Sequence, residues 1–448
     1  MATVAEIISA MREAAPTGQA ELAPEVLGEL RSLTQALIAA RPDAGEEYAR
    51  FMALGQRGIG VPEDELAAWL GGATVLVTGG TGCIGSTLMG QVARWRPGRL
   101  VSVSRGLTEG WPLVDGAEYA RADIRDAGRL SAVFEEVRPD VVFHVAAQRD
   151  PGLAEHEVHR TVTTNVLGTR HVVAAAEDSG AAYVVFASTG KALRPYSREI
   201  YTASKRAAEW LVAEAAARGR TSYAAARFTH VVDNSIIRHR LVDWCEGGVI
   251  RLHAPDIVFY AQSALESAQL LLRAGLGARR GTLWTHAITD LGWPVGLLDL
   301  ALGALSATGS ETPIYISGYD PGYESMAFPG LYDPMTAGDV SPLLSAFEAA
   351  VAEPSDDRPT DAFPVRFAGG QQPAAPLPAL QDACDGGDVA AVREALDELS
   401  WWLLDAMLQL ASPGTLRRVA ALTEPFECEL TPSYRRILDA VRRRGVAS

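Results

Sequence analysis

Residues 74–85 read TVLVTGGTGCIG, a short β-branched run followed at once by glycines at 79, 82 and 85. A buried strand that ends in glycines and opens into a helix leaves few folds available. Glycine suits that junction because the chain must turn tightly and let a pyrophosphate reach its backbone N–H groups. An ordinary strand-to-helix turn is the competing reading, and it weakens because more units of this kind follow. LVSVSR, VVFHVAA and YVVFAST alternate with helical stretches of roughly 10 to 20 residues, the pattern of a parallel sheet wrapped by helices. The expected fold is therefore α/β, a Rossmann-type doubly wound parallel sheet. Its dinucleotide would lie on Gly79, Thr81, Gly82, Cys83, Ile84 and Gly85.

The second strand ends Val103-Ser104-Arg105, with no acid placed to hold a ribose 2′-hydroxyl. A serine and a cationic arginine suit a 2′-phosphate, so NADP is expected over NAD. Asp123 and Ile124 would flank the adenine, and the small residues Val145, Ala146 and Ala147 would let the cofactor lie close.

Four widely separated cysteines (83, 245, 384 and 428) show no metal-ligand spacing, so no metal is expected. A formal net charge of −15 argues against nucleic-acid and anionic-membrane partners. The lack of a signal peptide or long apolar run makes a cytoplasmic setting the expectation. Residues 1–72 read as a helical head, 73–350 as the nucleotide-binding and substrate domain, 351–378 as a Pro/Gly/Asp-rich linker, and 379–448 as a helical tail. In the tail, LSWWLLDAMLQL at 399–410 is too apolar to stand exposed and should pack on the body or across a dimer.

The stretch FASTGKALRPYSREIYTASK, residues 186–205, carries the candidate chemistry. If Tyr201 opens a helix, Lys205 lies one turn on and on the same face. An ammonium there would favour the phenolate and suit Tyr201 to act as a base, and it could also reach the nicotinamide ribose. Thr189, at the end of the preceding strand, would offer its hydroxyl to the same substrate oxygen. A solvated helix face is the alternative for this pair. The dinucleotide fold upstream favours catalysis.

TGGTGCIG, ADIRD, HVAA, TNVLGT, STGKALRP and YTASKRAAEW together resemble an extended short-chain dehydrogenase/reductase over residues 73–325. The nearest branch is the capsular-polysaccharide-biosynthesis type, which includes the inverting UDP-N-acetylglucosamine dehydratases. The resemblance implies a small substrate lobe, a tightly held NADP and transient oxidation of a sugar hydroxyl to a ketone. Loss of water or inversion at the neighbouring carbon then precedes return of the hydride. It implies Tyr201 as base with Lys205 as partner, Thr189 as orienting hydroxyl, and Lys191 in the elimination or inversion step. Asn165 would support the site, and Arg149, His230, Asn234 and Arg238 would face substrate. A homodimer is implied, since the superfamily often pairs through helices beside the tyrosine.

The departures from that branch bear on substrate. Gly190 stands where the branch has an aspartate that protonates the leaving hydroxyl, and His230 stands where it has asparagine. Phe259, Asp320 and Glu324 replace cations at phosphate-contacting positions, which would cost several kcal/mol beside a poorly solvated diphosphate. The substrate is then an unusual sugar or polyol, or its diphosphate rests on Arg238, Arg240 or Arg251; surface solvation is the competing reading for these three. His230, His239 and His253 read more readily as structural or surface groups. Two other functions fit the same residues: an NADPH-dependent ketone reductase, and a cofactor-sensing scaffold whose head and tail bind partners.

Overall fold

A computed structural model describes residues 2–107, 112–233, 243, 245–246, 248–319, 340–353, 359–368 and 376–446. The chain forms two compact units. The first comprises Met1–Gly58, Thr229–Leu265 and Leu291–Ser325, and the second Ile59–Phe228, Glu266–Asp290 and Met326–Ser448.

The second unit is built on one sheet. Its strands are β1 (Thr74–Thr78), β2 (Arg99–Ser104), β3 (Glu118–Arg121), β4 (Val141–His144), β5 (Tyr183–Thr189), β6 (Ser222–Phe228), β7 (Leu283–Ile288) and β8 (Thr360–Val365). In space they run β8-β7-β6-β5-β4-β1-β2-β3, all pairings parallel except β7 with β8. The order reverses between β1 and β4, and in open sheets of this kind ligands bind at that switch point, outside the carboxyl ends of the strands. The central strands are buried along almost their whole length because helices cover both faces. Helix α1 (Cys83–Ala93) follows β1, α2 (Ala127–Val137) follows β3, and α3 (Gly168–Ser179) precedes β5. A π-helical turn, Thr163–Leu167, leads into α3.

Helix α4 (Ile200–Ala217) is buried on nearly every side, the charged Lys205, Arg206 and Glu209 included. The tail supplies much of the cover. From α5 (Val389–Leu410), Val392, Leu396, Leu399 and Leu403 join Ile200, Ala203, Ala207 and Trp210 of α4 in one core. Trp402 meets Trp210 edge-to-face at 5.3 Å, and Trp401 lies 4.2 Å from Tyr196. The apolar patch at 399–410 thus packs on the body of its own chain.

In the first unit, the head helices Val4–Ala14 and Pro24–Ala40 bury Ile7, Met11, Leu30 and Leu37 against Ile250, Leu252, Leu302 and Tyr315. Helix Leu297–Thr308 lies so close on Ala44–Ala53 that a Cβ on Gly303 would stand 2.3 Å from the Ala44 carbonyl oxygen. No helix among the described residues is long and apolar enough to cross a membrane.

Candidate active site

The glycines after β1 divide by cause. Gly79 has φ +76°, and a Cβ there would lie 2.8 Å from Ala146 N; one on Gly85 would lie 2.0 Å from the Gly79 carbonyl oxygen. The fold itself requires both. At Gly82, the residue before α1, a Cβ would meet nothing nearer than that same oxygen at 3.5 Å. A bare backbone at a helix start that the protein does not itself fill is what an incoming pyrophosphate needs, so a dinucleotide fits. Thr81 and Cys83 are buried and Ile84 is half-buried along this loop.

At the end of β2 the hydroxyls of Thr81 and Ser104 both donate to the Gly106 carbonyl, at 3.1 and 2.8 Å, while Arg105 is exposed. Asp123 is clasped by the Arg125 guanidinium at 2.6 Å, which holds its carboxyl below the usual range. Ile124 is buried and its carbonyl accepts from His171 Nδ1 at 3.0 Å. Val145, Ala146 and Ala147 form the half-buried exit of β4. Asn165 is buried, and its carboxamide donates to the Gln148 carbonyl at 3.0 Å and to Ser204 Oγ at 3.1 Å, and accepts from Gln148 N at 2.8 Å.

Thr189 ends β5, and its hydroxyl lies by the phenol of Tyr201 at the start of α4. Desolvation raises the phenol's pKa, while the Thr189 hydroxyl and the Arg149 charge pull the other way; the net direction is upward. Lys205 follows one turn along α4 and is buried. Its Nζ donates to the Ala187 carbonyl at 2.7 Å and sits 4.2 Å from the Phe186 ring centroid. Burial pulls its pKa down to about 7, against the opposing charge of Glu209. The charge of Arg149, an exposed residue, favours the ionised phenol and that of Asp150 disfavours it.

Lys191 is tied to a partner that sequence reading missed. Its ammonium lies 3.1 Å from the carboxylate of buried Glu199, which also pairs with Arg194 at 3.1 Å and accepts from Thr202 Oγ1 at 2.7 Å. Burial opposes ionisation of Glu199, yet the charges of Arg194 and Lys191 win and hold its pKa at about 2. A carboxyl depressed from 4.5 adds stability that is full above its unfolded value and lost as pH falls through the folded one. The gap in melting temperature between the protein and Glu199→Gln should thus be widest above pH 4.5 and close towards pH 2; a constant gap would remove Glu199 as the source.

Beneath Thr189 lies a second unforeseen group. Arg227, fully buried at the end of β6, reaches Glu209 at 2.8 Å and Glu348 at 2.7 Å, and Arg206 joins both acids at 3.2 and 3.3 Å. Ser188 Oγ donates to Glu209 at 2.6 Å. Arg206 and Glu209 stand within the YTASKRAAEW motif, so half the cluster was visible in sequence; Glu348 carried no such signal. From the same segment, Leu343 lies where a side chain on residue 190 would go, its Cδ2 only 2.7 Å from a Cβ built on Gly190.

Of the substrate candidates, His230 is exposed with its ring 4.4 Å from Phe259, and Phe259 is buried edge-on against Phe51 in the first unit's core. Arg251 donates to the carbonyls of Gln19 and Ala20 at 2.8 and 2.6 Å. His253 Nδ1 is 3.0 Å from the Gly318 carbonyl. Asn234, Arg238, His239, Arg240, Asp320 and Glu324 lie outside the described residues.

A doubly wound sheet with a glycine cradle after β1 and a Thr-Tyr-Lys set at β5 and α4 defines an extended short-chain dehydrogenase/reductase. Within that class the chain belongs to the family described as Polysaccharide biosynthesis protein, whose model matches residues 75–328. It is 29% identical over 286 residues to the probable polysaccharide biosynthesis protein EpsC of Bacillus subtilis, covering 60% of this chain and 47% of that one. It is 29% identical over 167 residues to a UDP-N-acetylglucosamine 4,6-dehydratase (inverting) of Campylobacter jejuni, covering 35% and 49%. The chain thus spans about half the length of these curated relatives. Among solved structures, Pen from Bacillus thuringiensis shares the fold with a TM-score of 0.56 and 24% identity over 68% of this chain and 90% of that one.

Proposed function

We propose that the protein is an NADP-dependent epimerase or dehydratase that works on a nucleotide-linked sugar through a transient ketone, in a cytoplasmic setting. The observation that carries this reading is the set brought together at the carboxyl end of β5: Thr189, the Tyr201 phenol it influences, and Lys205 bonded to the Ala187 carbonyl. The family and the two relatives' names support the sugar class. Exposed Arg105 and the absence of an acid at the end of β2 support the 2′-phosphate.

On this reading Thr189 orients the substrate hydroxyl and Tyr201 takes its proton, with Arg149 favouring the charged phenol. Lys205, held by the Ala187 carbonyl, fixes the start of α4 and presents its remaining donors towards the cofactor side. Bound NADP supplies hydride acceptance and return. Lys191, held by Glu199, serves the carbon beside the ketone. Leu343 fills the space next to Gly190, so no carboxyl there can protonate a leaving hydroxyl, which favours inversion over elimination.

The test incubates the protein with catalytic NADP and UDP-N-acetylglucosamine, following nicotinamide absorbance and the sugar's proton NMR spectrum. Internal redox gives a changed sugar with no net absorbance change. Stoichiometric NADPH consumption with a ketone substrate would replace this reading with a simple reductase. A companion melt with UDP and the nucleotide sugar reads diphosphate binding directly, because ligand at about a hundred times Kd adds about 2.7 kcal/mol. No shift with either would exclude UDP-linked substrates.

A further inference from the structure

His144, the last residue of β4, is buried between two threonines and has no part in the scheme above. Its Nδ1 lies 2.8 Å from Thr78 Oγ1 and its Nε2 lies 3.0 Å from Thr169 Oγ1. Counting protons settles every direction in this chain. Thr169 spends its one hydroxyl proton on the Asn165 carbonyl, at 2.7 Å. It can therefore only accept from His144, so Nε2 carries the hydrogen. In a neutral ring Nδ1 is then bare, and the Thr78 hydroxyl must donate to it. The lone pairs of Thr78 Oγ1 in turn accept from Val145 N at 3.2 Å and Ala146 N at 3.3 Å. Burial, with the Lys205 charge adding to it, drives the imidazole pKa down to about 3, in keeping with a neutral ring.

The two ends of this relay matter to the cofactor cradle. One end grips Ala146, the residue whose N a Cβ on Gly79 would touch at 2.8 Å. The other ends on Asn165, whose carboxamide holds Gln148 and, through Ser204, helix α4 one residue before Lys205. Residues 145–148 are thus pinned from both sides, and the only route from the β1 end to the π-helical turn drawn by these bonds passes through one imidazole.

We propose that His144 is a positioning residue for the nicotinamide dinucleotide, its neutral Nε2–H ring fixing the 145–148 wall against the glycine turn. The inference rests on the dinucleotide-binding reading and extends it to a residue that does not touch the ligand. A chain of single-direction hydrogen bonds transmits position because its buried members, Thr78, His144 and Thr169, cannot re-pair without leaving a polar atom unmet.

The experiment titrates NADP and NADPH into the full chain by calorimetry, for the unaltered protein, His144→Phe, Thr169→Val and the double variant, with folding checked by circular dichroism. His144→Phe keeps a ring beside Phe186 and loses both bonds, while Thr169→Val keeps the histidine and cuts only the far end. Expected is a Kd about tenfold higher in each single variant, and a double variant no weaker than the worse single one, because both cut the same chain. Kd values within about twofold of the unaltered protein in folded variants, or single effects that multiply in the double, would overturn the inference. If His144→Phe does not fold, the Thr169→Val comparison decides alone. An unaltered protein that binds neither nucleotide would instead sink the reading on which the inference rests.

Discussion

Tyr201→Phe should lower turnover by about a thousandfold while leaving the protein folded and loaded, because it removes the one group that carries the substrate proton. The phenol is half-buried, with the Thr189 hydroxyl by it. Its loss costs at most one hydrogen bond, worth about 1 kcal/mol, so nicotinamide dinucleotide affinity should fall by no more than about fivefold. Thr189→Val should act in the same direction by removing the neighbouring hydroxyl. Single-turnover reduction of bound NADP separates chemistry from release. A Tyr201→Phe variant that retained more than a tenth of the parent rate in that assay would rule out Tyr201 as the proton carrier.

The largest stability effect should come from Arg227→Met. Arg227 and Glu209 are fully buried, and Glu348 and Arg206 nearly so, so two positive and two negative charges balance out of reach of water. Arg227 keeps Glu348 ionised against its burial. Removing the guanidinium leaves two carboxylates to share Arg206, and breaking a buried pair from one side costs about 3 to 5 kcal/mol. The melting transition of the second unit should fall on the order of 10 °C. Arg227→Met combined with Glu348→Gln leaves Arg206 with Glu209 as a neutral pair and should be more stable than the single variant. A double variant less stable than the single one would rule out charge imbalance as the source of the loss and point to the bonds Glu348 makes with Ser345.

Local spacing carried most of what could be read from the sequence. Gly79 and Gly85 announce a strand–turn–helix junction because their partners lie within a few residues or in the next strand's exit. Tyr201 and Lys205 share a helix face by arithmetic. What escaped depends on which partners the fold turns towards each other, near or distant in the chain. The bond from Lys205 to the Ala187 carbonyl escaped, since spacing along α4 does not say which acceptor β5 presents to it. Arg149 acts on Tyr201 from the end of β4, more than fifty residues earlier in the sequence. Glu199 was hidden in plain view inside the quoted stretch, because only the folded turn brings Lys191, Arg194 and Thr202 around it. Phe259 reads as a lost phosphate contact in a linear alignment, whereas in three dimensions it is core, edge-on to Phe51.

The tail's packing on α4 sets an order of events during synthesis. Trp210 and Ala207 leave the ribosome long before Leu399 and Leu403, their neighbours in the finished core. At about 5 to 20 residues per second, the intervening two hundred or so residues take about 10 to 40 s. Through that interval the helix bearing the tyrosine presents an apolar flank with nothing to cover it, a target for chaperones and for self-association between nascent chains. Helix α4 is therefore among the earlier parts of its unit to be made and among the last to be sealed.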